Sequence, residues 1–199
     1  LNSIDNFIWK REPEQASNYL VKFSNLMRMT LENSRTKHIP LTVEIEFLKS
    51  YLELENFRHN QKFKYEISVS PEIDGKNILI PSMVIQPFVE NAILHGLSHK
   101  IDGDCNLSIC FSRQDNLVKC VVEDNGIGRK NARVMRENQL VNKESLGIQV
   151  TEERVHLLKR ITGNKNLQIQ IIDLEELEKG KTGTRVVILL PLLTASATA

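Results

Sequence analysis

Between Pro13 and Ser34 apolar side chains return every three or four positions. Tyr19, Leu20, Phe23, Leu26, Met27 and Leu31, with Thr30 among them, fall on one stripe, which is the period of a helix that turns one face to a partner surface. Glu12-Pro13-Glu14 interrupts the pattern. Residues 1–35 therefore divide into a first helix and a second over about 14–34, because proline removes a backbone donor and crowds the preceding turn. A stripe this wide on paired helices fits a helical hairpin with a dimer face, and equally a helix packed only on its own domain. Thr36 to Pro40 reads as a connector. Thr42, with Glu44 and Glu46 close behind, reads as the N-cap of a further helix. Its apolar face of Ile45, Leu48, Leu52 and Phe57 runs to about His59.

After His59 the period changes to two. Phe63, Tyr65, Ile67 and Val69 share one side of segment 62–70, the mark of a half-buried strand. Residues 71–77 read as loop. Ile78-Leu79-Ile80 is short and apolar, and Pro81 is placed to open a helix over 81–95. Pro87 lies inside that helix and should kink or tighten it. Leu107, Ile109 and Phe111 alternate, Gln114-Asp115-Asn116 turns, and 117–123 runs back as the partner strand of a hairpin. Segment 129–146 carries Arg129, Lys130, Arg133, Arg136 and Lys143 with few apolar anchors, and predicts a mobile lid. Residues 151–160 predict a helix, 167–171 a strand, 175–181 a charged hairpin loop, and 184–190 a last buried strand ended by Pro191. The order predicts an α+β fold: a helical part over 1–60, a mixed sheet with helices on one face over 61–193, and a tail over 194–199.

Composition narrows the classes. Of 199 residues, 41% are hydrophobic and 26% charged, ordinary for a globular chain able to bury a core. A net charge of +1 gives no reason to expect nucleic acid or an acidic membrane surface as the main partner. No apolar run reaches the roughly 20 residues that span a bilayer. The first residue is Leu1 rather than Met, so the chain reads as a piece of a longer protein, with room for a membrane segment outside it. Cys105, Cys110 and Cys120 lack metal spacing and read as small core residues of a protein kept in a reducing cytoplasm.

Two stretches carry candidate chemistry: Gln86-Pro87-Phe88-Val89-Glu90-Asn91-Ala92-Ile93-Leu94-His95-Gly96 and Glu123-Asp124-Asn125-Gly126-Ile127-Gly128. The first is a helix with an acid and an amide side by side. The Asn91 carbonyl can supply one of the hard oxygens that Mg²⁺ prefers, with phosphates and water supplying the others. Glu90 can orient or deprotonate a nucleophile. In the second stretch Asp124 comes straight off an apolar strand that it cannot itself enter. Its carboxylate can accept a hydrogen bond from an exocyclic amine such as adenine's, while Gly126 and Gly128 let a flat base approach the backbone. Thr184 can add a hydroxyl. Gly147 opens a helix whose N–H groups suit phosphate. Alone, each stretch is an ordinary turn or a solvated helix face.

Taken together the stretches resemble the N box, G1 box, G2 box and closing Gly-Thr strand of the ATP-binding domain shared by sensor histidine kinases, gyrase-type topoisomerases, heat-shock chaperone ATPases and mismatch-repair ATPases. With Ile39-Pro40-Leu41 and Tyr51-Leu52-Glu53-Leu54-Glu55 followed by Arg58, the resemblance narrows to the LytS/YehU-type sensor histidine kinases and covers residues 1–191. It implies a Bergerat-type α/β sandwich over 61–193 and a dimerisation and phosphotransfer remnant over 1–60. It further implies a homodimer that passes phosphate from ATP to its own His and on to a response-regulator receiver domain. The kinase core would be cytoplasmic and its parent anchored in the membrane. By resemblance, Asn91 would hold Mg²⁺, Glu90 would assist the transfer, and Asp124 would bind adenine beside Gly126 and Gly128. Gly147 would belong to the lid hinge, Thr184 would help hold the base, and His95 would be structural or phosphate-side.

Two departures stand out. The family's acceptor lies in a His-Phe-Leu-Phe-Asn run directly before a segment like Leu1-Asn2-Ser3-Ile4, so the acceptor would precede this chain. Ser145, Ile148 and Val150 stand where the G2 box usually has Gly, Leu and Asn. That motivates an alternative, a degenerate dimerisation and nucleotide-sensing module of the same fold. Another ATPase of the superfamily is a third reading, disfavoured by the helices ahead of the domain.

Overall fold

The computed structural model describes residues 13–101, 103–138 and 168–194. Helix α1 (Pro13–Ser34) leads through β1 (His38–Pro40) into α2 (Leu41–Arg58), then β2 (Phe63–Val69) and β3 (Ile78–Pro81). Helix α3 (Gln86–Asn91) continues as a wider π-helical segment, Ala92–Leu97. The hairpin β4 (Cys105–Gln114) and β5 (Leu117–Asp124) follows, then α4 (Gly128–Asn138), β6 (Gln168–Asp173), the single turn α5 (Leu174–Leu177), β7 (Thr184–Pro191) and β8 (Leu193–Thr194). The predicted helix before Pro13, the helix over 151–160, the later part of the predicted lid and Gly147 lie outside the described residues.

The main sheet has the order β2-β4-β5-β7-β6. β2 runs parallel to β4, and the other pairs are antiparallel, so the sheet is mixed as expected. Its inward positions follow from the period of two: Leu107, Ile109 and Phe111 on β4, Val118, Cys120 and Val122 on β5, and Val186, Ile188 and Leu190 on β7 are all buried. Against this face packs α2 with Leu41, Phe47, Leu48 and Leu52, joined by Phe88 and Ile93 of the α3 segment. A small sheet β1-β3-β8 closes one end.

Several expectations are corrected. Pro40, not Thr42, stands at the N-cap of α2, and Thr42 lies inside the first turn with its N–H on the Gly75 carbonyl at 3.0 Å. Pro81 ends a strand paired with His38 instead of opening a helix, and the helix begins at Gln86. Pro87 therefore falls in the first turn, where a backbone N–H has no intrahelical acceptor, and it causes no kink. Residues 128–138, at the start of the segment read as a lid, form a helix. Thr194, placed in the tail, pairs with Ile78 of β3 beside Leu193. The apolar stripe of α1 is split: Ala16, Tyr19 and Leu26 are buried, whereas Leu20, Phe23, Met27 and Leu31 are 41–57% exposed. Of the cysteines, Cys105 and Cys120 are buried and Cys110 is exposed.

Candidate functional site

The alternation that buries Val118, Cys120 and Val122 delivers Asp124 to the next inward position of β5, where it is 4% exposed. Asp124 is the last residue of the strand, paired with Leu107 on one side and Thr184 on the other, not an acid kept outside it. Burial pushes its carboxyl up from 3.8 to about 7, with smaller upward pushes from Glu123 and Asp173, while the backbone N–H groups of Gly126 and Thr184 pull it back. The Gly126 N–H donates to Oδ1 at 2.8 Å.

Two glycines wall this carboxylate, and a third abuts the backbone of the same residue. A Cβ on Gly96 would lie 2.7 Å from Asp124 Oδ1, and one on Gly126 would lie 2.5 Å from the Gly96 Cα and 2.7 Å from the same oxygen. Gly183, at φ +121°, admits no side chain either, since a Cβ there would fall onto the Asp124 carbonyl oxygen. The Ile127 N–H donates to the Gly96 carbonyl at 3.3 Å, tying the turn after β5 to the π-helical segment. The widened helix, in which Ser98 N–H reaches the Ile93 carbonyl at 2.9 Å, seats Gly96 against Asp124. Such helical widenings concentrate at functional sites.

Asn125 is a fastener. Its side chain accepts from the Asn106 N–H at 2.8 Å and donates to the Asp104 carbonyl at 2.9 Å. Lys100 Nζ bridges the Asp104 and Asn125 carbonyls, at 2.9 Å each. Gly128, at φ +76°, turns the chain into α4. There the Arg129 N–H donates to Asp173 Oδ1 at 3.1 Å, so a carboxylate from β6 holds the first turn of α4. Sequence reading missed Asp173. The signal was an acid at a strand end, but its partner lies 44 residues earlier.

Glu90, Asn91 and His95 lie on the α3 segment, partly exposed. Gln86 Nε2 donates to Glu90 Oε1 at 2.7 Å, and the buried Gln86 Oε1 and Asn91 Nδ2 make no hydrogen bond. Helix α2 runs alongside. Glu44 faces the backbone of Met83 and Ile85, Tyr51 feels the charges of Glu90, Glu55 and Arg58, and past its end Lys62 Nζ donates to the Ser98 carbonyl at 3.2 Å. Arg58 Nη1 lies 3.2 Å from both Glu55 oxygens, and His59 Nε2 lies 3.6 Å from Oε2.

The structure thus brings Asp124, Gly126 and Thr184 together with Gly96 and Gly183, with Gly128 opening the adjoining helix. Glu90 and Asn91 sit more than a turn earlier on the helix that carries Gly96. The acid and amide donor set is compatible with Mg²⁺. Asn91 offers one amide oxygen, and no cluster of three or more His, Cys, Asp or Glu side chains occurs among the described residues.

Residues 1–63 match the family model described as Histidine kinase. The chain is 34% identical over 119 residues to the sensor protein LytS of Bacillus subtilis, covering 60% of this chain and 20% of that protein. It is 38% identical over 119 residues to the LytS of Oceanobacillus iheyensis, and 33% identical over 116 residues to the sensor histidine kinase/phosphatase LytS of Staphylococcus aureus. It spans about a fifth of the length of these relatives. In fold it is similar to the mycobacterial sensor histidine kinase MprB, with TM-score 0.51 and 16% identity over 79% of this chain and 97% of that one. The Acinetobacter baumannii histidine kinase AdeS is similar at TM-score 0.52 and 15% identity, over 92% and 81%. Residues 1–63 thus match the histidine-kinase model, the sequence is similar to LytS sensor proteins over about 60% of its length, and the fold is similar to that of histidine kinases.

Proposed function

We propose that this chain is the catalytic region of a two-component sensor histidine kinase. In this reading it binds Mg-ATP and passes the γ-phosphoryl group to a histidine of the parent protein, and from there to a response-regulator aspartate. The observation that carries the reading is the glycine-walled Asp124. Its carboxylate, with Oδ1 held by the Gly126 N–H, would accept from an exocyclic amine. Gly96 and Gly126 keep side chains away from it.

Adenine's amine would donate to Asp124 and the Thr184 hydroxyl would assist. Gly126 and Gly128 would leave the base close to backbone. Asn91 would hold Mg²⁺, which when bound would neutralise phosphate charge. Glu90 would hold or take the proton of the attacking imidazole, and His95 would face the phosphates or brace the helix. Gly147 would belong to the hinge beyond α4. A homodimer formed through the outward residues of α1 and a parent held in the membrane belong to the same proposal. No helix among the described residues is long and apolar enough to cross a membrane.

Calorimetric titration with a non-hydrolysable ATP analogue, with and without Mg²⁺, tests it. Asp124→Asn should weaken binding about 10- to 100-fold, the loss expected of a hydrogen bond to a charged group. Asn91→Ala should remove the Mg²⁺-dependent part. Affinity should fall as pH drops below about 7, because the amine prefers the ionised carboxylate. A folded sample that binds nothing at millimolar nucleotide overturns the reading.

A further inference from the structure

The N-box helix holds one polar contact that the reading above does not use. Gln86 Nε2 donates to Glu90 Oε1 at 2.7 Å across one turn of α3. The orientation of this amide is dictated by its neighbour. Turned over, its carbonyl would face a carboxylate, and two acceptors repel. Held as it is, Gln86 keeps a buried carbonyl oxygen that makes no hydrogen bond, an arrangement that packing alone would avoid. The mount is stiff as well. Gln86 is the first residue of the helix and precedes Pro87, which restricts the backbone on its N-terminal side.

The other groups around Glu90 are committed elsewhere or uncharged. From α2, Tyr51 feels Glu90, but burial and the charges of Glu55 and Glu90 hold its hydroxyl well above the usual range and so neutral. Arg58, also from α2, is spent on Glu55, which His59 approaches too. His95 lies further along the same segment, with interactions of its own. A neutral amide N–H on one carboxylate oxygen orients the group without neutralising it by an ion pair, and leaves the other oxygen for a proton.

We propose that Gln86 is a positioning residue for the phosphotransfer: it holds Glu90 by Oε1 and leaves Oε2 to the imidazole. In the step the imidazole nitrogen forms a bond to the γ-phosphorus. The bond from that phosphorus to the bridging oxygen breaks, and its electron pair leaves on ADP. The imidazole proton passes to Glu90 Oε2. This inference rests on the kinase reading.

The test measures ATP affinity and the rate of histidine phosphorylation at saturating ATP in the full-length parent, for the wild type, Gln86→Leu and Gln86→Glu. Gln86→Leu should slow phosphorylation about tenfold, part of what a positioned base supplies, with ATP affinity within about twofold of wild type. Gln86→Glu keeps the length of the side chain but has no amide donor, and should slow phosphorylation by at least as much. A wild-type rate in either variant overturns the proposal. A loss of ATP affinity that parallels a loss of folding would assign Gln86 a structural role and overturn it too. Failure of the wild type to bind ATP overturns the kinase reading itself, and that arm is scored without either variant.

Discussion

Two buried carboxylates sit in this protein under nearly the same electrostatic strain and have opposite surroundings. Glu44 on α2 is 0% exposed, neither of its oxygens makes a hydrogen bond, and burial pushes it from 4.5 to about 7. The Met83 and Ile85 N–H groups pull it back only in part, from outside hydrogen-bond geometry. Asp124 is also pushed to about 7. It sits among backbone groups, with a direct N–H donor and two glycines, Gly96 and Gly126, for walls. The perturbed proton affinity is common to both, so it marks burial, not chemistry. What separates them is the surround. Glu44 lies within a close-packed core with Leu41, Phe47 and Leu48 on its own helix, while the atoms around Asp124 are held to a backbone outline that a ligand edge could match.

The glycine wall is where the comparison breaks most easily. Gly126→Ala would drive a methyl group to 2.5 Å from the Gly96 Cα and 2.7 Å from Asp124 Oδ1. Backbone cannot yield there as a side-chain tip would, so the loss should exceed about 3 kcal/mol in a urea melt. Gly180→Ala is the control. Its φ is +90°, but nothing lies within 4 Å, so only the left-handed conformation is penalised, by roughly 1–2 kcal/mol. Equal losses would mean that the wall is ordinary turn geometry.

Next in size is the pH dependence of stability. Glu44 binds its proton more tightly folded, at about 7, than unfolded, near 4.5. The folded state therefore carries more protons between those values, and stability falls as pH rises through that window. Each pKa unit is worth about 1.4 kcal/mol, so Glu44 costs on the order of 3 kcal/mol above pH 7. Glu44→Gln should be more stable than wild type at pH 8, by roughly 1–3 kcal/mol, and no more stable at pH 4.5. Asp124→Asn should flatten the same window. Nucleotide titration then parts the pair, since Glu44→Gln should bind as wild type does. A Glu44→Gln protein that loses nucleotide would merge the two carboxylates into one function.

Much of this was legible from periodicity. The β4–β5 hairpin follows from alternation that runs unbroken from Val118, and the same alternation carries on to Asp124, which its charge wrongly set outside the strand. What failed was too short or too local to have a period. His38–Pro40 and Leu193–Thr194 are strands of three and two residues. The π-helical Ala92–Leu97 keeps apolar spacing that a plain α-helix would also show. The start of α3 at Gln86 depends on the preceding turn, where Met83 adopts φ +57°, a conformation that nothing about methionine announces. Asp173 is tied to α4 by a contact that only the fold creates. The α4 helix was missed because Ala132 is its buried apolar residue among the described side chains and the rest of 128–138 is largely polar.

The smallest effect concerns a carboxylate left in water. Lys22 Nζ lies 2.7 Å from Glu53 Oε2, joining α1 to α2, with side chains 36% and 50% exposed. By distance it is a better contact than anything Glu44 makes. Yet both groups keep most of their hydration, and holding two long side chains together costs rotamer freedom. Lys22→Ala should shift stability by less than about 0.5 kcal/mol. A double-mutant cycle with Glu53→Ala should return a coupling of similar size that shrinks further in high salt. If that coupling instead approached the Glu44→Gln effect, proximity rather than desolvation would rank the carboxylates of this protein, and the contrast between Glu44 and Asp124 would lose its physical basis.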